Sequence, residues 1–184
     1  LCNAILGSLS MLLCSSNFSA AMPESILCVC LGNICRSPTA EEVLRQKFAM
    51  LGNPIRIDSA GTSDAHTGQA PDKRAQQHAK TRGYNLSKLT ARGVTSADFY
   101  DFDLMLAMDE QNLAELQIMR AMLPEQDADG RPLANLALFS EHDPNYCGQA
   151  VPDPYYGDDD DFERVLDQIE SSADAWATFW QCYG

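Results

Sequence analysis

Residues 26–45 read ILCVCLGNICRSPTAEEVLR. The run Ile26-Leu27-Cys28-Val29 is apolar throughout and suits a buried strand. Cys30-Leu31-Gly32-Asn33-Ile34-Cys35-Arg36 follows, a cysteine and an arginine separated by five residues. Ser37 and Pro38 then introduce a helical pattern through Glu41, Glu42, Val43 and Leu44. Serine caps helices well, proline suits the first helical position and acids belong near a first turn. The stretch therefore predicts a strand, a tight loop and a helix N-terminus with Ser37 as cap. Such a loop gathers backbone N–H groups around one point and binds an oxyanion.

The residue types suggest the chemistry. A thiol at a helix N-terminus beside a cation ionises far more readily than a free one, with pKa values falling to roughly 3.5–7.5. Cys30 is thus the candidate nucleophile. Arg36 carries a planar fork of donors able to hold two oxygens of a phosphoryl group. Gly32 and Asn33 tolerate the backbone angles that a loop curled around an anion requires. Taken alone, Cys30 would read as a buried structural cysteine. The full context of Gly-Asn, Arg, Ser-Pro, strand and helix favours a phosphate loop formed by Leu31, Gly32, Asn33, Ile34, Cys35, Arg36 and Ser37.

CLGNICRSPTAE resembles the active-site loop of the low-molecular-weight protein tyrosine phosphatases. A second match, Asp153-Pro154-Tyr155-Tyr156-Gly157, resembles that family's acid loop. The likeness runs from about Ile26 onward, with both motifs in the family's order and separation. It implies a three-layer α/β/α fold around a four-stranded parallel sheet, and a two-step phosphocysteine mechanism without cofactor or metal. In that scheme Cys30 is the nucleophile, Arg36 clamps the phosphoryl group and Asp153 is the general acid, then the base. The resemblance also implies that Asn33, Ser37 and Ser59 support the loop and that Tyr155 and Tyr156 form the substrate rim. Cys35 would be a reversible disulfide partner for Cys30; the bland alternative is a small loop-filling residue. The bland reading of Asp153–Gly157 is an ordinary turn with one buried tyrosine.

The composition agrees with such an enzyme. The chain has 184 residues, 45% hydrophobic and 21% charged, with a formal charge of −13, enough for one domain with a real core. The charge argues against nucleic acid or an anionic membrane as partner and requires anion binding to be local. Seven cysteines, unevenly placed, form neither a secreted disulfide framework nor paired zinc motifs, which points to a reducing, cytoplasmic setting. The expected partner is a phosphotyrosine protein substrate, with the chain a monomer or weakly self-associating.

Residues 1–24 are expected to form an N-terminal extension outside the fold, and residues 25–184 the phosphatase domain. The chain opens on Leu1, and Met22 stands just before the first strand, so the extension reads as upstream sequence. The apolar run 5–13 and Ser19-Ala20-Ala21 offer a targeting segment as the alternative. No role is assigned to Cys2 or Cys14.

Along the rest of the chain, residues 38–51 place Ala40, Val43, Leu44, Phe48 and Leu51 on one helical face. Ile55-Arg56-Ile57 reads as a short alternating strand, followed by Asp58-Ser59-Ala60-Gly61. Residues 61–70 form a polar loop in which Ala65-His66 stands where many family members carry a cleft aromatic. Residues 71–83 predict a helix, with His78 on its surface. The stretch 85–92 lacks the histidine by which some family members brace the phosphate loop. Residues 102–108 predict a third strand and 133–139 a fourth. Asp109 reads as the cap of a helix ending near Met119, with a catalytic carboxylate as the sharper alternative. Alternating strands and helices predict α/β with ligands bound beyond the strand C-termini. His142, Asp143 and Cys147 form no complete metal motif. Asp158 to Asp161 suit the start of a last helix that buries Phe162, Val165, Leu166, Ile169, Ala173 and Trp176, and the run is expected to disfavour acidic phosphopeptides.

Two other activities share this scaffold. Phosphoarginine phosphatases resembling this chain carry Thr where it has Ile34. Arsenate reduction would need a resolving cysteine pair, and only Cys147 and Cys182, far apart in sequence, follow the loop.

Overall fold

The computed structural model describes residues 22–183; the expectations for residues 1–21, Cys2 and Cys14 among them, lie outside it. Four strands, β1 (Ser25–Cys30), β2 (Arg56–Gly61), β3 (Leu104–Ala107) and β4 (Asn135–Leu138), pair in parallel in the order β2-β1-β3-β4. The helices are α1 (Arg36–Met50), α2 (Lys73–Thr81), α3 (Asp98–Asp101), α4 (Glu110–Ala121) and α5 (Asp159–Tyr183). No helix among the described residues is long and apolar enough to cross a membrane.

The period of two along β1 builds the three layers. Ile26, Cys28 and Cys30 pack with Val43, Leu44 and Phe48 of α1 and with Val165, Ile169 and Trp176 of α5. Leu27 and Val29 face the opposite cluster, with Phe99, Phe102 and Leu116. β1 is paired on both edges and buried along its whole length, as its unbroken apolar sequence requires. The last helix buries the six apolar residues expected of it. Trp176 is anchored further by its indole N–H, which donates to the Phe139 carbonyl at 2.8 Å.

Several local expectations need correction. Helix α1 begins at Arg36 with Cys35 in the cap position and no side-chain cap; Ser37 lies inside the first turn, where its hydroxyl has Cys30, Asn33 and the Ala60 carbonyl as partners. Leu51 falls beyond α1 and is exposed. Strand β2 extends to Gly61, and α2 starts later than its proline suggests, with the Asp72 carboxylate capping it by accepting from the Arg74 N–H at 2.8 Å. Helix α3 is too short to leave a periodic trace. It is fixed by Asp98, whose carboxylate accepts from the Thr95 N–H and from Arg92. His78 is not simply solvated: its ring stacks on Phe162 at 5.5 Å and contacts Glu163 and Asp159 of α5.

Candidate active site

The chain leaves β1 at Cys30 and enters α1 at Arg36, so residues 31–35 curl over the C-terminal end of a central strand. Asn33 is the only non-glycine with positive φ among the described residues, at 54°, a conformation asparagine adopts at modest cost. That turn brings the Asn33 N–H to the Cys30 sulfur at 3.3 Å. Ser37 Oγ approaches the same sulfur at 3.0 Å.

Behind the loop, three buried polar residues hold one another. Asn33 Nδ2 donates to Ser37 Oγ and to Ser59 Oγ, each at 2.9 Å. Asn33 Oδ1 accepts from the Arg92 N–H at 3.0 Å. Ser59 Oγ donates in turn to Glu41 at 2.6 Å, and Glu41 pairs with Arg45. The sequence offered Asn33, Ser37 and Ser59 but not the Arg92 backbone or the Glu41–Arg45 pair beyond them. Burial raises the Glu41 pKa above the ordinary carboxylate value, against the lowering pull of the Ser59 hydrogen bond and Arg45.

Gly61 lets the next segment approach. A Cβ there would lie 2.7 Å from the Leu31 carbonyl oxygen and 3.2 Å from the Asn33 nitrogen. Thr62 N and Ser63 N donate to the carbonyls of Cys30 and Leu31, each at 2.9 Å. The C-terminal end of β2 is thereby fastened to the loop of residues 31–35.

Arg36 is 4% exposed and bonded on both arms. Nη1 donates to Asp109 Oδ2 at 2.6 Å and to the Val151 carbonyl at 3.1 Å; Nη2 donates to Asp153 Oδ2 at 3.1 Å. Burial opposes charge on Arg36, but Cys30, Asp109 and Asp153 outweigh it and hold its pKa above the ordinary guanidinium value. Asp109 does two jobs at once. One carboxylate oxygen caps α4, accepting from the Asn112 N–H at 2.7 Å, while the other receives Arg36. Its sequence reading as a cap therefore holds, and its pairing with Arg36 is an addition from the fold.

A cleft of about 180 Å³ opens over these groups. Cys30, Leu31, Gly32, Ile34, Cys35 and Arg36 form its floor, Asp153, Tyr155 and Tyr156 one wall, and Ser63, Ala65 and His66 the other. Asn33, Ser37 and Ser59 lie behind the floor and not in the cleft. Tyr155 and Tyr156 meet edge to face at 4.9 Å. The His66 ring leans over Gly32, whose added Cβ would come within 2.9 Å of it, and faces Tyr155 at 6.3 Å. His66 thus lines the cleft beside Ser63 and Ala65.

Cys35 and Cys28 are buried and free. Burial pushes both thiols well above their usual range, with Asp72 adding to the effect at Cys35 and Glu41 at Cys28. Asp143 turns inward from its loop, accepting from Ser172 Oγ at 2.7 Å and Ser171 Oγ at 3.1 Å. Its role is to fasten that loop to α5. Among the described residues no cluster of His, Cys, Asp and Glu could hold a metal ion. Asp158 opens α5 by accepting from the Asp160 and Asp161 N–H groups.

These features agree with the chain's likeness to known proteins. Residues 25–181 match the family model for the low molecular weight phosphotyrosine protein phosphatases. The phosphatase of that name from Gallus gallus is 41% identical over 152 residues, covering 82% of this chain and 91% of the relative. The solved structure of a protein tyrosine phosphatase from Entamoeba histolytica superposes with a TM-score of 0.72 at 37% identity, covering 82% of this chain and 92% of that one. That of a Drosophila arginine phosphatase gives 0.73 at 31% identity, covering 83% and 95%. A four-stranded parallel sheet with the Cys30–Arg36 loop between its central strand and the first helix, and a match spanning nearly all described residues, together show that this chain belongs to the low molecular weight phosphotyrosine protein phosphatase family.

Proposed function

We propose that the protein hydrolyses phosphotyrosine, and small aryl phosphates, through a phosphocysteine intermediate. The observation that carries this reading is the meeting of Cys30, Arg36 and Asp153 in one cleft, with Arg36 Nη2 3.1 Å from an Asp153 oxygen 117 residues away in sequence. No structural need brings a thiol, a buried guanidinium and a half-exposed carboxyl together; a phosphoryl-transfer site does.

In the first step the Cys30 thiolate attacks phosphorus in line with the ester oxygen. The P–O bond breaks, and the leaving phenolate takes a proton from Asp153. A tyrosine phenolate, of pKa about 10, is a poor leaving group, so an acid in this position is worth typically ~10²–10⁴-fold. In the second step the Asp153 carboxylate removes a proton from water as its oxygen attacks phosphorus. The S–P bond then breaks, returning the thiolate and releasing phosphate. Arg36, oriented by Asp109 and the Val151 carbonyl, holds two phosphoryl oxygens through both steps. The Asn33–Ser37–Ser59 set keeps the loop curled, which places the cost of its geometry in the fold and not in the reaction. Tyr155 and His66 flank the aryl ring. The cleft walls favour a flat aromatic ester, and the aspartates after Tyr156 favour peptides with basic over acidic flanks. Cys35 serves as the resolving thiol that captures oxidised Cys30.

The test is steady-state hydrolysis of phosphotyrosine, phosphoserine and phosphoarginine peptides by wild type, Cys30→Ser and Asp153→Ala. The reading expects phosphotyrosine to be cleaved best, Cys30→Ser to be inactive and Asp153→Ala to lose kcat. Preference for phosphoarginine would reassign the substrate and the role of Ile34. Activity surviving in Cys30→Ser would overturn the mechanism.

A further inference from the structure

We propose that Arg74 is a positioning residue for the acid loop: from the first turn of α2 it sets where Asp153 stands over the phosphate loop, without touching substrate. The inference rests on the functional reading above, in which Asp153 is the acid.

The two sides of the Asp153 loop are held differently. Upstream, Val151 N donates to the Met108 carbonyl at 2.7 Å, the Val151 carbonyl receives Arg36, and Gln168 of α5 donates to the Ala150 carbonyl at 3.2 Å. Downstream, the backbone bonds of residues 154–157 are local, such as Gly157 N to the Pro154 carbonyl at 2.9 Å. Among the described residues, the hydrogen bonds recorded from this segment's backbone to another element come from one side chain. Arg74 Nη2 donates to the Tyr155 carbonyl at 2.8 Å and Nη1 to the Gly157 carbonyl at 3.4 Å. The guanidinium also lies over the Phe162 ring at 4.7 Å.

Arg74 is itself fixed to the other half of the site. Its Nε and Nη2 donate to the Asp72 carboxylate at 3.3 and 3.2 Å. The Asp72 N–H donates to the carbonyl of Ile34, inside the phosphate loop, at 2.8 Å. A short path therefore runs from Ile34 through Asp72 and Arg74 to Tyr155. The Tyr155 N–H then donates to Asp153 Oδ1 at 3.1 Å. Nucleophile loop and acid are held at a fixed separation by this path, and a forked cation is needed to reach two carbonyls and a carboxylate together. A misplacement of about 1 Å in such a group can cost ~10²-fold.

The experiment measures kcat/KM for a phosphotyrosine peptide and for an activated nitrophenyl phosphate, whose leaving group needs little help from an acid. The enzymes are wild type, Arg74→Met, Arg74→Lys, Asp153→Asn and Asp153→Asn combined with Arg74→Met. Arg74→Met is expected to lose about 10-fold on the peptide, a part of the full acid contribution, and less than about 2-fold on the activated ester. Arg74→Lys, which keeps the charge but lacks the fork, should fall between wild type and Arg74→Met. In the Asp153→Asn background Arg74→Met should change nothing, because the group it positions is already disabled. Equal losses on both esters, an undiminished loss in the Asp153→Asn background, or no loss in either folded Arg74 variant would each overturn the inference. The functional reading fails separately, if wild type cleaves neither ester or Asp153→Asn cleaves the peptide as fast as wild type.

Discussion

Replacing Gly61 with alanine asks how closely the end of β2 must approach the loop of residues 31–35. The added Cβ would stand 2.7 Å from the Leu31 carbonyl oxygen, 3.0 Å from the Ser63 carbonyl oxygen and 3.2 Å from the Asn33 nitrogen. All three are backbone atoms, so no flexible side chain can give way. Overpacking of this kind costs about 1–3 kcal/mol. At ~2–4 °C per kcal/mol for a domain of this size, the thermal midpoint should fall by roughly 2–12 °C. The larger effect should be catalytic, because the atoms forced to move belong to Leu31 and Asn33, and the Asn33 N–H is the donor on the Cys30 sulfur. We expect kcat/KM to drop by at least about 10-fold at a temperature where the variant is fully folded, in line with the sensitivity of aligned reacting groups. The control is Gly130→Ala, at a positive φ of 79° with open space around it. That variant should lose about 1 kcal/mol to backbone conformation and keep its activity. Circular-dichroism melts paired with hydrolysis of an aryl phosphate provide both readouts. A Gly61→Ala protein with wild-type kcat/KM would refute the reasoning, since the loop would then tolerate displacement.

Asn33→Ala removes two buried hydrogen bonds and one part-buried one, and puts alanine at positive φ; it should cost ~2–4 kcal/mol in urea unfolding and most of the activity. Glu41 has a raised pKa, so its contribution to stability is fully present below the ordinary glutamate range, about 4.3, and is lost as pH rises through the folded value. The melting-temperature difference, wild type minus Glu41→Gln, should therefore shrink as pH rises from about 4 towards 7; a growing difference would contradict this. Because burial holds their thiols protonated, Cys28 and Cys35 should resist iodoacetamide in the native protein near neutral pH and react after denaturation, as read by peptide mapping. Asp109→Asn should keep the helix cap but remove the charge opposite the buried Arg36 guanidinium, raising KM for aryl phosphates several-fold and lowering the thermal midpoint.

The strand, loop and helix around Cys30 were legible because each rests on local chemistry: an unbroken apolar run, glycine and asparagine where the backbone must turn, and a helix start. The alternation of elements gave the parallel sheet for the same reason. What escaped the sequence is mostly contact between distant residues. Arg36 and Asp109 are 73 residues apart, and a capping aspartate looks the same whether or not its second oxygen has a partner. His78 looked like a surface residue because Phe162 and Glu163, 84 and 85 positions on, are invisible to helical periodicity. Ser37 misled in the opposite sense. Its cap preference is a statistical tendency of serine, and here Asn33 Nδ2 and the Ala60 carbonyl compete successfully for its hydroxyl.

The 117 residues between Arg36 and Asp153 also carry a consequence for synthesis. The strand that carries Cys30 leaves the ribosome before β3, β4 and Asp153, and at ~5–20 residues per second the interval from Arg36 to Asp153 lasts about 6–23 s. Throughout it the nascent chain carries Cys30 and Arg36 without the carboxyl that pairs with Arg36 in the folded protein. The order of translation thus delays the completed cleft until the sheet has its remaining strands and the final helix can close over them.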